Sequence, residues 1–143
     1  MWAPQLRLAK PRDGARLQAL LKDFGYAYIG QLDWSNLTPD WILAEAEGEL
    51  VGAVQVVLSR PLGYVHFLAT APALPHRRKA QLVKALGLQA ALTLQSFGAQ
   101  MAGFFVTHDR KNWKRLLKRR NCKIIGTGHM MAGFLGGPDV VEP

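Results

Sequence analysis

The stretch GYVHFLATAPALPHRRKAQL, residues 63–82, decides how the rest of the chain is interpreted. Residues 63–70 form an apolar segment typical of a strand, and two prolines follow it. Residues 77–97 carry apolar side chains at helical spacing and predict a helix of about six turns. The first turn of a helix has backbone N–H groups without an intrahelical acceptor, and here that turn is also basic. We therefore expect an anion site at this joint, because polypeptides bind phosphate at helix N-termini.

Hydrophobic periodicity predicts the remaining elements of a mixed α/β chain. Alternate side chains of a strand point to opposite faces, so the strand over 63–70 divides into two sets. These are Tyr64, His66 and Leu68 on one face, and Val65, Phe67 and Ala69 on the other. The other predicted elements are a strand over 5–9, a helix over 11–24 ended by Gly25, an irregular segment over 26–40, hairpin strands over 41–46 and 50–58 with a Gly in the turn, a strand over 100–107 buried between helices, a basic helix over 111–120, and a closing hairpin over 123–128 and 129–135. A second apolar stripe on the long helix, Ala85, Leu88 and Leu92, predicts that protein covers both of its sides.

The charge of the chain is unevenly distributed. The formal net charge is +8, but residues 50–138 hold thirteen Lys or Arg and one acid, Asp109. Residues 1–49 hold five bases and seven acids. A basic half of this kind attracts polyanions in general, among them phosphorylated cofactors, nucleic acid and acidic proteins.

Length and composition set the class of protein. A chain of 143 residues, 49% hydrophobic and 20% charged, fits one soluble domain over residues 1–143, with 135–143 as a frayed tail. The apolar runs fall short of the roughly 20 residues of a membrane span, and no signal-peptide pattern opens the chain. An intracellular, cytoplasmic protein without a membrane partner is expected. One cysteine, Cys122, and four histidines without ligand spacing predict neither an internal disulfide nor a metal site.

The predicted order of strands and helices resembles that of the GNAT acyltransferase superfamily over residues 5–135. Three local stretches carry the same resemblance: Leu6-Arg-Leu-Ala-Lys-Pro-Arg-Asp13 is similar to its opening strand and helix cap, Ala44-Glu-Ala-Glu-Gly-Glu-Leu-Val-Gly52 to its second hairpin, and Leu68-Ala-Thr-Ala-Pro72 to the end of its fourth strand. The resemblance implies an α/β (α+β) fold: a mixed, mostly antiparallel sheet of about seven strands flanked by helices, in the order β-α-α-β-β-β-α-β-α-β-β.

The resemblance also implies acetyl-CoA as cofactor and an amine as substrate. In that superfamily the fourth and fifth strands splay, pantetheine pairs with the fourth-strand backbone, and pyrophosphate lies on the next helix N-terminus. The matching positions are Leu68, Ala69 and Thr70 on the strand, Arg77, Arg78, Lys79, Ala80 and Gln81 at the helix start, and Asn112 at the start of the last helix. Helix capping explains Asn112 equally well, and a solvated helix start explains the basic residues.

Two features of the superfamily are absent from this sequence. Its helix start has alternating glycines, whereas this chain has Arg77-Arg-Lys-Ala-Gln-Leu82, in which Arg78 and Leu82 would crowd a phosphate unless their side chains point away. The tyrosine that commonly acts as general acid falls at Leu117 here. On the fourth strand His66 is the candidate general base, although a structural histidine is the commoner case.

A noncatalytic function is the alternative, in which a basic surface binds nucleic acid or an acidic protein. That surface would comprise Arg110, Lys111, Lys114, Arg115, Lys118, Arg119, Arg120 and Lys123. The basic joint and basic helix resemble small bacteriophage proteins of the GNAT class, including internal virion proteins, which implies an infected cell or a virion as location. A solvated face over Trp113, Leu116 and Leu117 needs no partner and is the third interpretation.

Overall fold

The computed structural model describes residues 2–26, 28–35, 37, 40–105, 111–120 and 122–124. The chain has two compact units, Met1–Asp109 and Arg110–Pro143. In the described part, the first unit contains β1 (Gln5–Leu8), α1 (Gly14–Phe24), β2 (Trp41–Ala46), β3 (Glu49–Ser59), β4 (Leu62–Thr70), α2 (His76–Ser96) and β5 (Met101–Phe104), with single 3₁₀ turns at Pro11–Asp13 and Ile29–Gln31. The second unit contains α3 (Lys111–Arg119). Within the described ranges, no helix combines the length and apolarity that crossing a membrane would require.

The strands form one sheet in the order β1-β2-β3-β4-β5. Consecutive strands are antiparallel except β4 and β5, which α2 connects and which are parallel. This is the predicted mixed, mostly antiparallel α+β sheet, and the fold class is confirmed. About seven strands were expected and the described residues form five. The predicted closing hairpin falls outside the described residues, apart from Lys123 and Ile124, which belong to no strand.

The turns predicted from glycine are confirmed. Glu47 and Gly48, with φ of 55° and 78°, join β2 to β3 in the left-handed conformation that a two-residue hairpin turn requires. Gly25, with φ of 118°, ends α1, and its N–H bonds to the carbonyls of Leu21 and Lys22.

A separate apolar core lies on each face of the sheet. On the α2 face, Val54, Val56 and Val65 pack with Leu82, Leu86 and Leu94 of the helix. On the α1 face, Leu17 and Leu21 pack with Leu43, Ala53 and Trp41, whose indole lies edge-on to Trp34. Burial on both faces explains why β2 and β3 are almost continuously apolar.

Two predictions of burial were wrong. Residues 100–107 were expected to be a strand covered on both faces. Of the described residues 100–105, four form β5, and Met101 in the strand and Phe105 just after it are 58% and 55% exposed. The stripe Ala85, Leu88 and Leu92 was expected to be covered, but Leu88 and Leu92 are about half exposed. The sequence pattern could not distinguish these positions from core because their side chains are equally apolar.

A buried carboxylate joins β1, β2 and the start of α1. Asp13 is 1% exposed, and both of its oxygens accept from the Arg7 guanidinium at 2.7 Å. It also accepts the Lys10 N–H at 2.7 Å. The Arg7 guanidinium also donates to Glu45 on β2. Hydrogen bonds from Arg7 hold the pKa of Asp13 well below its usual range, so the carboxylate stays ionised in the fold.

Candidate functional site

Among the described residues, no strand pairs with one edge of β4 along its second half, and we call this the open edge of β4. Parallel pairing with β5 runs from Leu62 to Val65 and ends where the Phe105 N–H reaches the Val65 carbonyl. Beyond Val65, no described residue pairs with β4 on that side. Because β4 continues to Thr70, a row of backbone groups follows the point where the ladder stops.

Backbone alternation shows which residues face this open edge. Ala69 pairs with Ala53, and the Ala71 N–H donates to the Val51 carbonyl at 2.8 Å. In an antiparallel ladder every second residue directs its N–H and C=O at the partner strand. Ala69 and Ala71 therefore face β3, and the C=O of Leu68 and the N–H and C=O of Thr70 face the open edge. Of the three strand residues predicted to bind cofactor, these two present backbone polar groups there.

A β-bulge at Phe67 precedes that row. Val54 of β3 stands opposite both Phe67 and Leu68, because the register passes from Gln55–His66 to Ala53–Ala69. Phe67 has φ of 48°, a left-handed conformation that costs a bulky residue of order 1–3 kcal/mol and that clusters at functional sites. The bulge changes one of the predicted faces: Leu68 packs with Val65 in the α2 core, although the two were predicted on opposite faces, whereas Phe67 and Ala69 share the α1 core as predicted.

Tyr26 holds the bulge from the α1 face. Its ring contacts Phe67 edge-on at 5.6 Å between centroids, and its hydroxyl donates to the Leu68 carbonyl at 3.2 Å. Phe67 is thus held in place by packing against Tyr26, and the Leu68 carbonyl, which faces the open edge, accepts a hydrogen bond from the Tyr26 hydroxyl. From the sequence, Tyr26 could either line the acceptor site or pack beside it, and the weak periodicity of the 26–40 segment did not predict its contact with Phe67.

His66 lies next to the bulge and is surrounded by aromatic side chains. Its ring lies 4.5 Å from that of Phe105 and 5.8 Å from that of Phe67, both edge-on, with Tyr64 at 6.2 Å. Burial against these rings lowers the pKa of His66 below its ordinary 6.5. The imidazole is therefore neutral near pH 7 and able to accept a proton.

A helix follows the joint, as predicted. It is α2, which begins at His76, one residue earlier than expected. The first intrahelical bond runs from the Lys79 N–H to the Pro75 carbonyl at 3.0 Å. The N–H groups of His76, Arg77 and Arg78 precede that bond and point out of the helix end. The first turn contains no acidic residue, so nothing in it competes with an anion for these donors.

The two large side chains that replace the superfamily's glycines point away from this helix end. Leu82 is fully buried in the α2 core and faces Gly52. A Cβ atom added at Gly52 would lie 2.7 Å from Leu82 Cδ2. The Arg78 guanidinium lies 5.2 Å from the centre of the Trp2 ring, a cation–π contact. Sequence patterns do not reveal this pair, because Trp2 lies far from Arg78 in the chain. The crowding expected from Arg78 and Leu82 is thus relieved.

The remaining predicted site residues divide by position. Arg77, Ala80 and Gln81 are exposed on α2, and Lys79 is half-buried. The side chain of Asn112 lies outside what the structure describes, as does Arg110. Within the described chain no cluster of three potential metal ligands occurs.

Two cavities lie elsewhere in the first unit. One, of about 210 Å³, is lined by Leu94, Gln95 and Met101 near the start of β5. The other, of about 320 Å³, lies between β1 and α2 beside Leu8 and Phe97. Neither cavity includes the β4 edge or His66, and neither brings titratable groups together for catalysis.

Comparison with known proteins identifies the class of fold. No protein-family model and no curated relative matches the sequence. Among solved structures, the chain is similar to a transcriptional regulator from Bacillus halodurans C-125 (TM-score 0.70, 16% identity, 91% of this chain and 99% of that one). It is also similar to the ribosomal-protein-alanine N-acetyltransferase of Brucella melitensis biovar Abortus 2308 (0.69, 20%, 91% and 99%). A third similar structure is the aminoglycoside N-acetyltransferase AAC(6')-Iy in complex with CoA (0.71, 10%, 92% and 95%).

These similarities show that the chain has the GNAT fold. The five described strands, the open β4 edge and the helix that follows it are the parts of this fold that the site uses.

Proposed function

We propose that the protein is an acetyl-CoA-dependent N-acyltransferase that acts on an amine. The observation that carries the proposal is the edge of β4 left unpaired among the described residues, where Thr70 presents its N–H and C=O, and Leu68 its C=O, shortly before a helix N-terminus. A pantetheine arm contains amides that can pair with such an edge, and its pyrophosphate requires donors of the kind that α2 offers. The CoA complex of a structurally similar aminoglycoside N-acetyltransferase supports the same ligand.

The residues at the helix start fit a phosphate group. The N–H groups of the first three residues of α2 lie at the helix N-terminus. The exposed side chain of Arg77 and the half-buried side chain of Lys79 lie in the same turn and are charged donors. Arg78 contributes its N–H, while its guanidinium stays on Trp2. The helix dipole adds to the attraction for anions at this end.

The proposed chemistry is direct transfer. Bound acetyl-CoA would supply an acetyl thioester whose carbonyl carbon accepts the lone pair of a neutral amine. As the amide forms, the acyl–sulfur bond would break, and the CoA thiolate would leave with that electron pair and take up the proton that the amine nitrogen still has to lose. The N–H group of Thr70 would stabilise negative charge on the acyl oxygen. Neutral His66 would take the proton that the ammonium group must lose, and the site mainly positions the reactants.

Calorimetry with acetyl-CoA tests this function. We expect saturable binding by the unmodified protein, and about tenfold weaker binding after Arg77→Gln, since a charged hydrogen bond contributes on the order of 1.5–3 kcal/mol. Lys84→Gln, two turns further along α2 at an exposed position, is the matched control and should leave the affinity unchanged. Absence of binding at millimolar acetyl-CoA would overturn the proposal.

His66→Gln separates catalysis from binding. We expect thiol release from acetyl-CoA in the presence of primary amines to fall about 100-fold in kcat/KM, with acetyl-CoA affinity retained. Because burial lowers the pKa of His66, the rate should rise with pH through a midpoint below pH 6.5, and the variant should lack this step. A variant with full activity, or an unchanged pH profile, would assign His66 a structural role.

A further inference from the structure

The surface of α3 is unusual in the arrangement of its charge. Successive residues of a helix are rotated by about 100°, which places five basic side chains on one arc of about 140°. They are Lys111, Lys114, Arg115, Lys118 and Arg119. Leu116 and Leu117 lie on the opposite side and are half-buried, while four of the five basic residues are exposed and Lys114 is half-buried. The helix therefore has one continuous basic face.

This face carries an energetic cost that a merely solvated helix would avoid. Lys111–Arg115, Lys114–Lys118 and Arg115–Arg119 are like-charged pairs at i, i+4, and each costs roughly 0.2–0.5 kcal/mol. Lys111 also sits in the first turn, where a cation opposes the helix dipole. No acidic residue occurs between Asp109 and Asp139 to relieve the repulsion. Helices that need only solubility alternate Glu with Lys, so this pattern calls for an anionic partner.

We infer that the basic face of α3 binds the phosphate backbone of double-stranded nucleic acid, a function independent of the proposed acyl transfer. The nine residues of α3 span about 13 Å, over which a duplex presents about eight phosphates. Phosphate contacts require only charge of the right density. Protein partners are usually anchored by aromatic or apolar side chains, and membrane-surface helices need an apolar face that is free to insert. Leu116 and Leu117 are half-buried on the side opposite the basic face. The basic face therefore provides neither an apolar anchor for a protein partner nor an apolar surface that could insert into a membrane.

Binding of this kind has no sequence preference and a defined salt dependence. Five cations release enough counterions to give a slope of about −4.5 in a plot of log affinity against log salt concentration. Fluorescence anisotropy with a DNA duplex of arbitrary sequence, about 20 base pairs long, between roughly 50 and 200 mM NaCl, measures this slope. Lys114→Gln with Lys118→Gln should reduce its magnitude by about 2, since each phosphate contact contributes about 1.

The control is an equal loss of charge elsewhere. Lys22→Gln with Lys84→Gln removes two exposed cations of the first unit and should leave the slope unchanged. Glutamine is a good helix former, and equal unfolding temperatures of the two variants would show that both are folded. The inference is overturned if the duplex does not bind at the lowest salt concentration, if both double variants lose the same slope, or if polyglutamate of matched charge binds as tightly.

Discussion

Asp13→Asn is expected to lower the free energy of unfolding by about 3 kcal/mol, a change of more than about 100-fold in the unfolding constant. Removing one partner of a buried ion pair leaves the other charge uncompensated, which typically costs about 3–5 kcal/mol. Arg7 is 23% exposed and keeps Glu45, so the lower end of that range applies. Urea unfolding at pH 7, followed by circular dichroism, measures the loss.

The pH dependence of stability gives a second readout for Asp13. Its folded-state pKa is depressed, so the stabilisation is complete above the unfolded-state pKa of about 3.9 and is lost as the pH falls through the lower folded-state value. The amide that Asp13→Asn introduces cannot titrate, so that contribution to acid sensitivity should disappear. Glu45→Gln is the control: its partner is the same arginine, but it is 25% exposed and should cost about 1 kcal/mol or less. Equal losses in the two variants would contradict the role given to Asp13.

Leu82→Ala should cost about 3 kcal/mol, and Gly52→Ala about 2 kcal/mol, but the double variant should lose less than the sum of the two. Leu82 is fully buried, so its truncation leaves a cavity in the α2 core. The new methyl at position 52 would lie 2.7 Å from Leu82 Cδ2 and 3.0 Å from Leu86 Cδ1, and truncation of Leu82 removes the closer of these two conflicts. A coupling of about 1–2 kcal/mol is expected from the four unfolding free energies.

Leu94→Ala provides the matched cycle. Leu94 belongs to the same core but lies about 18 Å further along α2 and faces Gly63. Its effect should therefore add to that of Gly52→Ala without coupling. Coupling of equal size in both cycles would mean that α2 shifts as a whole, and the specific fit between Gly52 and Leu82 would be rejected.

Much of the fold follows from local patterns in the chain. The stripe that includes Leu17 and Leu21 predicted α1, Gly25 predicted its end, and Gly48 predicted the β2–β3 turn, because each depends on residues close in sequence. The β4 bulge could not be predicted in this way. Phe67 adopts a left-handed conformation that its own side chain disfavours, and packing against Tyr26 together with pairing to β3 imposes it.

The candidate site likewise combines features that local sequence patterns predicted with a contact that only the tertiary structure shows. The direct succession of a strand, a proline-bounded joint and a basic helix predicted an anion site near Arg77. Leu68 and Thr70 were predicted to bind cofactor through the resemblance to the GNAT superfamily, and their role stays a prediction. The contact of Arg78 with Trp2 depends on tertiary structure alone. That contact turns a side chain that the sequence suggested would obstruct phosphate into one that leaves the helix end accessible.

The four-residue strand β1 also bears on how the protein behaves at high concentration. It is the outer strand of the sheet, with Pro4 before it and Pro11 after it. Exposed sheet edges recruit strands from other molecules, and short edges bounded by proline and carrying charge resist this. With Arg7 held at its centre by Asp13 and Glu45, β1 offers too short and too charged an edge to begin the intermolecular pairing that leads to aggregation.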